Sequence, residues 1–197
     1  MPSTTLDSNI FRDIFTTAEM RNGFSDEFRT ACYLEIESAL AKVQGRLGII
    51  PDEAMREIVG KCDVKNIDFV KLKTQTERIG YPILGVVQQI VALCDKGLGE
   101  WCHWGATTQD ITDTAMIMQV RAGLDLVHAE IERIAAALTK LSKRYRDTPM
   151  AGRSNLQQAV PITFGFTAGF SVPSFARIAS GRSSGRILVP VMSMVPG

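Results

Sequence analysis

The chain has 197 residues, room for one domain of ordinary size and part of another. Its 22 Lys and Arg nearly balance 21 Asp and Glu, a formal net charge of +1, so charge gives no case for nucleic acid or an anionic membrane as partner. Hydrophobic residues at 45% and charged residues at 22% exclude the disordered regime, and no apolar run approaches the roughly 18 residues of a membrane helix.

Met1 to Phe15 carries Asp7, Arg12 and Asp13 and no apolar stretch of the kind a secretory signal has. Cys32, Cys62, Cys94 and Cys102 form no CxxC pair. The expectation is a cytoplasmic protein with reduced, mostly buried thiols. His103 and His128 lie 25 positions apart, which argues against a histidine-based zinc site.

In chain order, Ser25-Asp26-Glu27 reads as a helix cap and first turn. Apolar residues then recur at Phe28, Cys32, Ile36, Leu40, Val43 and Leu47 at helical steps. Gly48 ends that helix, and Pro51 sits at the start of a short one. Asp63 to Asn66 is turn-like, and another helix is expected from about Pro82 to Leu93. The strongest pattern follows. Ile117, Val120, Leu124, Val127, Ile131, Ile134, Leu138, Leu141 and Tyr145 alternate steps of three and four, a heptad stripe over four repeats. From Gln109 to Arg146 this predicts about 38 helical residues, roughly 57 Å long. A helix of that length needs partners in a bundle or coiled coil. No strand pattern stands out, so the expected fold class is all-α.

Composition changes abruptly near residue 166. Residues 1–166 hold 19 basic and all 21 acidic residues, a net of −2. Residues 167–197 hold Arg177, Arg182 and Arg186, no acid and no lysine, with six Ser, four Gly and three Pro. The expected organisation is an N-terminal helical domain over 1–108, the start of a helical-bundle domain over 109–166, and an irregular tail over 167–197.

Two segments concentrate polar residues. In Trp101–Asp110, Thr107 and Asp110 have the spacing of a capping box, and Gly105 permits close approach of a ligand. Hydroxyls beside free N–H groups at a helix start suit a carboxylate or phosphate. The alternative is that Thr107 only caps the helix while the two tryptophans fill the core. In Gly152–Pro161, one arginine, one hydroxyl and three amides fall within six residues, suited either to a polyanionic substrate or to a solvated loop.

These segments resemble a known family. Glu37-Ser38-Ala39-Leu40-Ala41 with Leu47-Gly48-Ile49-Ile50-Pro51, His103-x-Gly105-Ala106-Thr107-Thr108-Gln109-Asp110-Ile111-x-Asp113-Thr114, and Gly152-Arg153-Ser154-x-Leu156-Gln157-x-Ala159-x-Pro161-Ile162-Thr163-Phe164-Gly165 are similar, in order, to three motifs of the fumarase/aspartase superfamily. The similarity covers about residues 10–166, and the nearest branches are 3-carboxy-cis,cis-muconate cycloisomerase and adenylosuccinate lyase-like proteins. It implies a homotetramer built on a central helical bundle, with active sites where three subunits meet. It implies β-elimination of a C–N or C–O bond with fumarate release, or the related cycloisomerisation, on a small polycarboxylate, without metal or organic cofactor.

Residue by residue, the resemblance implies that Thr107, Thr108 and Gln109 bind a substrate carboxylate. His103 lines the same pocket as the candidate catalytic residue. Arg153, Ser154, Asn155 and Gln158 bind substrate from the second segment. Relatives often have histidine where Asn155 or Gln158 stands, and an amide exchanges no proton near pH 7. The family's serine- and lysine-bearing "G-S-S-x-M-P-x-K-x-N" loop has no match in this sequence. The expectation is therefore a truncated lyase chain, inactive alone. The competing expectation is a helical interaction protein that pairs through residues 117–145 with itself or with a full-length paralogue.

Overall fold

In the computed structural model, which describes residues 4–183, two short helices, α1 (Arg12–Phe15) and α2 (Ala18–Gly23), lead into α3 (Asp26–Arg46). Ser25 starts α3 as expected, its hydroxyl accepting the Phe28 N–H at 3.1 Å. Gly48, at φ 70°, ends the turn after it. Then follow α4 (Asp52–Lys61), a single 3-10 turn at Val64–Asn66, α5 (Phe69–Ile79), α6 (Ile83–Leu93), 3-10 turns over Asp95–Trp101, and α7 (Thr108–Arg144). Helix α5 is absent from the apolar pattern because its apolar positions are few and Val70 among them is exposed. Its signals are at its ends. Asp68 accepts the N–H groups of Val70 and Lys71, and Gly80 closes the helix at φ 96°.

The chain divides into two units at Gly123/Leu124, within α7. The first unit holds the main core, in which Leu34, Ile58, Ile83, Val86 and Ile90 are almost fully buried. Ile111, Ala115, Gln119 and Gly123 are the buried face of α7 in this unit, one residue every fourth position. Gln119 is buried with both ends satisfied: its amide donates to the Gly23 carbonyl at 3.1 Å, and its oxygen accepts from Arg29 Nε at 3.1 Å.

The periodicity placed the helices but gave only part of the buried face of α3: Cys32 of the expected stripe is in the core and Ile36 packs against it, while the positions at its ends are not covered. The buried residues are Thr30, Cys32, Tyr33, Leu34, Glu37, Ala41 and Gly45, whereas Phe28, Val43 and Leu47 are exposed. Helix α3 has apolar residues on more than one side, and only the surface of α4 and α6 decides which side is covered within the chain. The same holds for α7. Ile117, Leu124, Val127, Ile134 and Leu141 of the heptad stripe are exposed.

In the second unit, α7 ends at Arg144, two residues short of the expected end, and two strands follow. Strands β1 (Pro149–Ser154) and β2 (Gln157–Thr163) form an antiparallel hairpin with an irregularity between Ala151 and Arg153. This is strand structure where none was expected. The segment carries no alternation of apolar and polar residues because almost all of it is exposed. Asn155 and Leu156 make the turn at φ 49° and 63°, the left-handed pair a two-residue hairpin demands. Helix α8 (Phe164–Ser183) follows directly. The stretch expected to be irregular from residue 167 is thus helical through Ser183. Ser, Gly and Pro lower helix propensity, but Pro173 is accommodated inside α8 all the same. Residues 184–197 of the expected tail lie outside the described residues.

Among the described residues no helix is long and apolar enough to cross a membrane. All four cysteines are free thiols, Cys32 and Cys102 buried and Cys62 and Cys94 partly so. Burial pushes the Cys62 thiol up to about 12 and holds Cys102 well above the ordinary range, with the charge of Glu37 adding to both. Cys62 and Cys102 should therefore resist a thiol reagent at pH 7.5 in the native chain and react within seconds in 6 M guanidinium. Equal native and denatured rates would contradict their burial.

Candidate functional site

The segment before α7 folds as a tight turn. The Ala106 N–H donates to the His103 carbonyl at 3.3 Å, and Gly105 takes φ 70° at the third position of that turn. A positive φ there favours glycine, and a Cβ at Gly105 would meet open space, so the constraint is conformational rather than steric. The turn delivers the chain into α7. The Asp110 carboxylate accepts the Thr107 N–H at 3.0 Å, one half of the expected capping box, while the Asp110 N–H donates to the Thr107 carbonyl at 3.1 Å.

Helix α3 holds this turn at two points. Gln44 Nε2 donates to the Trp104 carbonyl at 2.7 Å. Glu37, seven residues earlier on the same helix face, pairs with His103: Oε1 lies 2.5 Å from Nδ1. The Trp101 and Trp104 rings meet at 4.8 Å between centroids. Trp104 is exposed rather than core, so the reading in which both tryptophans fill the interior does not hold.

The Glu37–His103 pair is energetically expensive. Glu37 is 1% exposed, and its second oxygen, Oε2, is buried without a hydrogen-bond partner. His103 takes φ 60°, a left-handed conformation unfavourable for a residue with a side chain. An unpaired buried oxygen and a strained backbone each cost about 1–3 kcal/mol. The return is a short, charge-assisted hydrogen bond. That bond raises the His103 pKa above the ordinary histidine range; partial burial opposes the rise, and the charges of Glu37 and Asp110 reinforce it.

The first predicted set comes together around this turn. Thr107 and Thr108 stand at the N-terminus of α7, where the first backbone N–H groups have no carbonyl behind them in the helix. Thr108 is half-buried, and Thr107 and Gln109 are exposed. Gln109 turns its amide along the helix to Asp113, at 2.5 Å. An open cavity of about 480 Å³ adjoins the turn, lined by Ile36, Leu40, Gln44, Trp104, Gly105 and Asp110 among others. Its walls are largely apolar and its charge acidic, a poor match to a polycarboxylate. Thr107 and Thr108 lie outside its lining.

The second predicted set lies on the hairpin of the other unit. Arg153 pairs across with Gln158 and Ser154 with Gln157, so Arg153 and Gln158 share one face while Ser154 is on the opposite one. Asn155 sits at the turn. All four predicted side chains are exposed. Among the described residues no group of three or more His, Cys, Asp or Glu is placed to hold a metal ion.

Glu37 and Gln44 were not expected in the site. The signal for Glu37 was its place as the one charged residue within the buried face of α3, together with its position in the first motif.

The profile of the lyase family, described as "Lyase", matches residues 13–175. The chain belongs to this family, within the fumarase/aspartase superfamily. It is 54% identical over 177 residues to trans-aconitate decarboxylase 1 of Mycosarcoma maydis, covering 90% of this chain and 36% of that protein. It is 33% identical over 161 residues to 3-carboxy-cis,cis-muconate cycloisomerase of Pseudomonas putida, covering 80% and 38%. The crystal structure of a fumarate lyase from Mesorhizobium sp. BNC1 superposes with a TM-score of 0.81 at 43% identity, covering 86% of this chain and 40% of that one. The chain thus spans about two fifths of the length of these relatives. The match reaches Phe175, past the end near Phe166 expected from the motifs, because the start of α8 carries similarity outside them.

Proposed function

We propose that this chain supplies carboxylate-anchoring groups of an active site for a small unsaturated or succinyl-type polycarboxylate. The observation that carries the reading is the start of α7: two threonine hydroxyls beside the first N–H groups of a long helix, behind a turn held by Glu37 and Gln44. A helix N-terminus favours an anion by charge and by geometry. In the other unit, the exposed hairpin residues Arg153, Ser154, Asn155 and Gln158 offer a cation and neutral donors suited to a carboxylate in their own right.

Relatives named for elimination, cycloisomerisation and decarboxylation fit one electrostatic scheme. Elimination and decarboxylation of such acids both place negative charge on a carbon beside a carboxylate. Preorganised donors on that carboxylate stabilise the charge as it forms. The 54% identity to a trans-aconitate decarboxylase supports a tricarboxylate of the aconitate type as the substrate class. The same reading carries a homotetramer joined through the heptad stripe of α7, and a cytoplasmic setting that four free thiols suit.

Titrating trans-aconitate and fumarate into the isotopically labelled 197-residue chain tests the reading. Both should perturb the amides of Thr107, Thr108 and Gln109, and Thr108→Val should weaken binding about tenfold, the worth of a hydrogen bond to a charged group. Amides that ignore both acids would refute it. Because residues 1–197 contain no match to the serine–lysine loop, the same polypeptide should show no turnover of trans-aconitate, adenylosuccinate, argininosuccinate or carboxymuconate above a heat-killed control.

The exposed heptad stripe favours one other reading, a helical interaction protein. Sedimentation separates it from the first: an oligomer that binds neither acid supports interaction alone.

A further inference from the structure

We propose that Glu37 is a positioning residue for His103: its buried carboxylate takes the Nδ1–H, fixes the ring in one tautomer and orientation, and leaves Nε2 as the one ring nitrogen free for substrate. What Nε2 then does rests on the carboxylate-binding reading above; the positioning itself does not.

Four observations carry the assignment. The contact joins residues 66 apart in sequence at 2.5 Å, so it ties the turn before α7 to the middle of α3. Gln44 holds the next residue's carbonyl from the same helix face, so neighbouring atoms of one turn are fixed from a single rigid support. The carboxylate is 1% exposed and its Oε2 has no partner, whereas a clamp with only a structural purpose would be met more cheaply by a neutral amide or an apolar pair. The imidazole itself is 21% exposed and has no second hydrogen bond among the described residues, so Nε2 is accessible.

The surroundings leave Glu37 in control of the ring's charge. The charged groups acting on His103 are Glu37 from α3 and Asp110 from α7, both acidic. The thiols of Cys62, Cys94 and Cys102 beside them are held neutral by burial. Lys42 acts on Cys62 rather than on the ring. His103 therefore stays an imidazolium to higher pH than an ordinary histidine, with Nε2–H available as a charged donor. Of the eight predicted site residues, His103 alone exchanges a proton near neutral pH, because Asn155 and Gln158 are amides. Glu37 thus sets the pH range over which the site keeps its exchangeable proton.

The test uses the 197-residue chain with His128→Gln, which leaves one imidazole. Nitrogen-15 NMR follows ring protonation from pH 5 to 9 with and without Glu37→Gln, and fumarate is the probe. The expected result is a ring protonated on Nδ1 throughout, titrating above the ordinary histidine range, and falling back into that range in Glu37→Gln. Fumarate affinity should drop about tenfold as a charge-assisted hydrogen bond becomes a neutral one. A ring that titrates at the same pH in both chains overturns the proposal. So does a ring protonated on Nε2 alone at neutral pH in the unsubstituted-Glu37 chain, a readout that decides the matter even if Glu37→Gln does not fold. A ring that titrates as expected but ignores fumarate upholds the positioning and overturns the carboxylate-binding reading instead.

Discussion

His103→Ala lowers the stability of the chain by about 3 kcal/mol, more than Glu37→Gln does. The asymmetry follows from which partner is buried. Glu37 is 1% exposed, so removing His103 leaves a carboxylate in the core with both oxygens unpaired. Breaking a buried pair from one side costs about 3–5 kcal/mol, and the lower end applies because the imidazole is itself partly exposed. Glu37→Gln removes the buried charge and keeps an oxygen that can accept the Nδ1–H, so its cost is smaller. Urea unfolding of the two single variants and of His103→Ala with Glu37→Gln checks this. The double variant should recover part of the loss, since it no longer strands a charge. A loss under 1 kcal/mol for His103→Ala would mean that the carboxylate is hydrated and that the pair anchors nothing.

The same pair sets a pH dependence whose sign is fixed. The His103 pKa is raised in the folded chain, so the folded state binds its proton more tightly than the unfolded state, whose value is about 6.5. The resulting stability is fully present below that value and is lost as pH rises through the folded one. The urea midpoint of the wild-type chain should fall across that window, and His103→Ala should lack that part of the slope.

What could be read in advance separates by physical cause. Caps and stops are local chemistry, so Ser25, Gly48 and the start of α7 were legible. The class of structure was legible too, because most of the chain repeats at helical steps. Faces were not. Phe28, Val43 and Leu47 form as good a stripe as Thr30, Leu34, Glu37 and Ala41, and only the elements packed against α3 distinguish them. The hairpin was hidden because an exposed β-ribbon needs no apolar alternation, and its turn uses Asn155 and Leu156 rather than glycine. Thr107 and Thr108 could be singled out as candidates from their place at the start of a long helix. Glu37 could not, because its contact is with a residue 66 positions away.

A second large effect is expected at Gly165, the last residue of the third motif. Helix α8 begins there by folding back onto the end of α7. The Gly165 N–H donates to the Tyr145 carbonyl at 2.9 Å, Ser142 Oγ donates to the Gly165 carbonyl at 2.8 Å, and the Tyr145 and Phe164 rings meet edge to face at 5.5 Å. A Cβ on Gly165 would lie 2.5 Å from the Arg146 Cα and 2.6 Å from the Ser142 carbonyl oxygen. Both are backbone atoms and neither can swing aside, so Gly165→Ala must push α8 off the end of α7, at about 3 kcal/mol. Gly169, one turn further, makes the control. A Cβ there meets only the Ser142 hydroxyl, at 2.7 Å, which can rotate away. That variant loses about one hydrogen bond and gains the preference of alanine over glycine inside a helix, each about 1 kcal/mol, so it should be nearly neutral. Hydrogen exchange at the amide of residue 165, which donates to the Tyr145 carbonyl, separates the two cases. Protection should vanish in Gly165→Ala and persist in Gly169→Ala, and equal protection in both would show that α8 is not seated on α7 through its first turn.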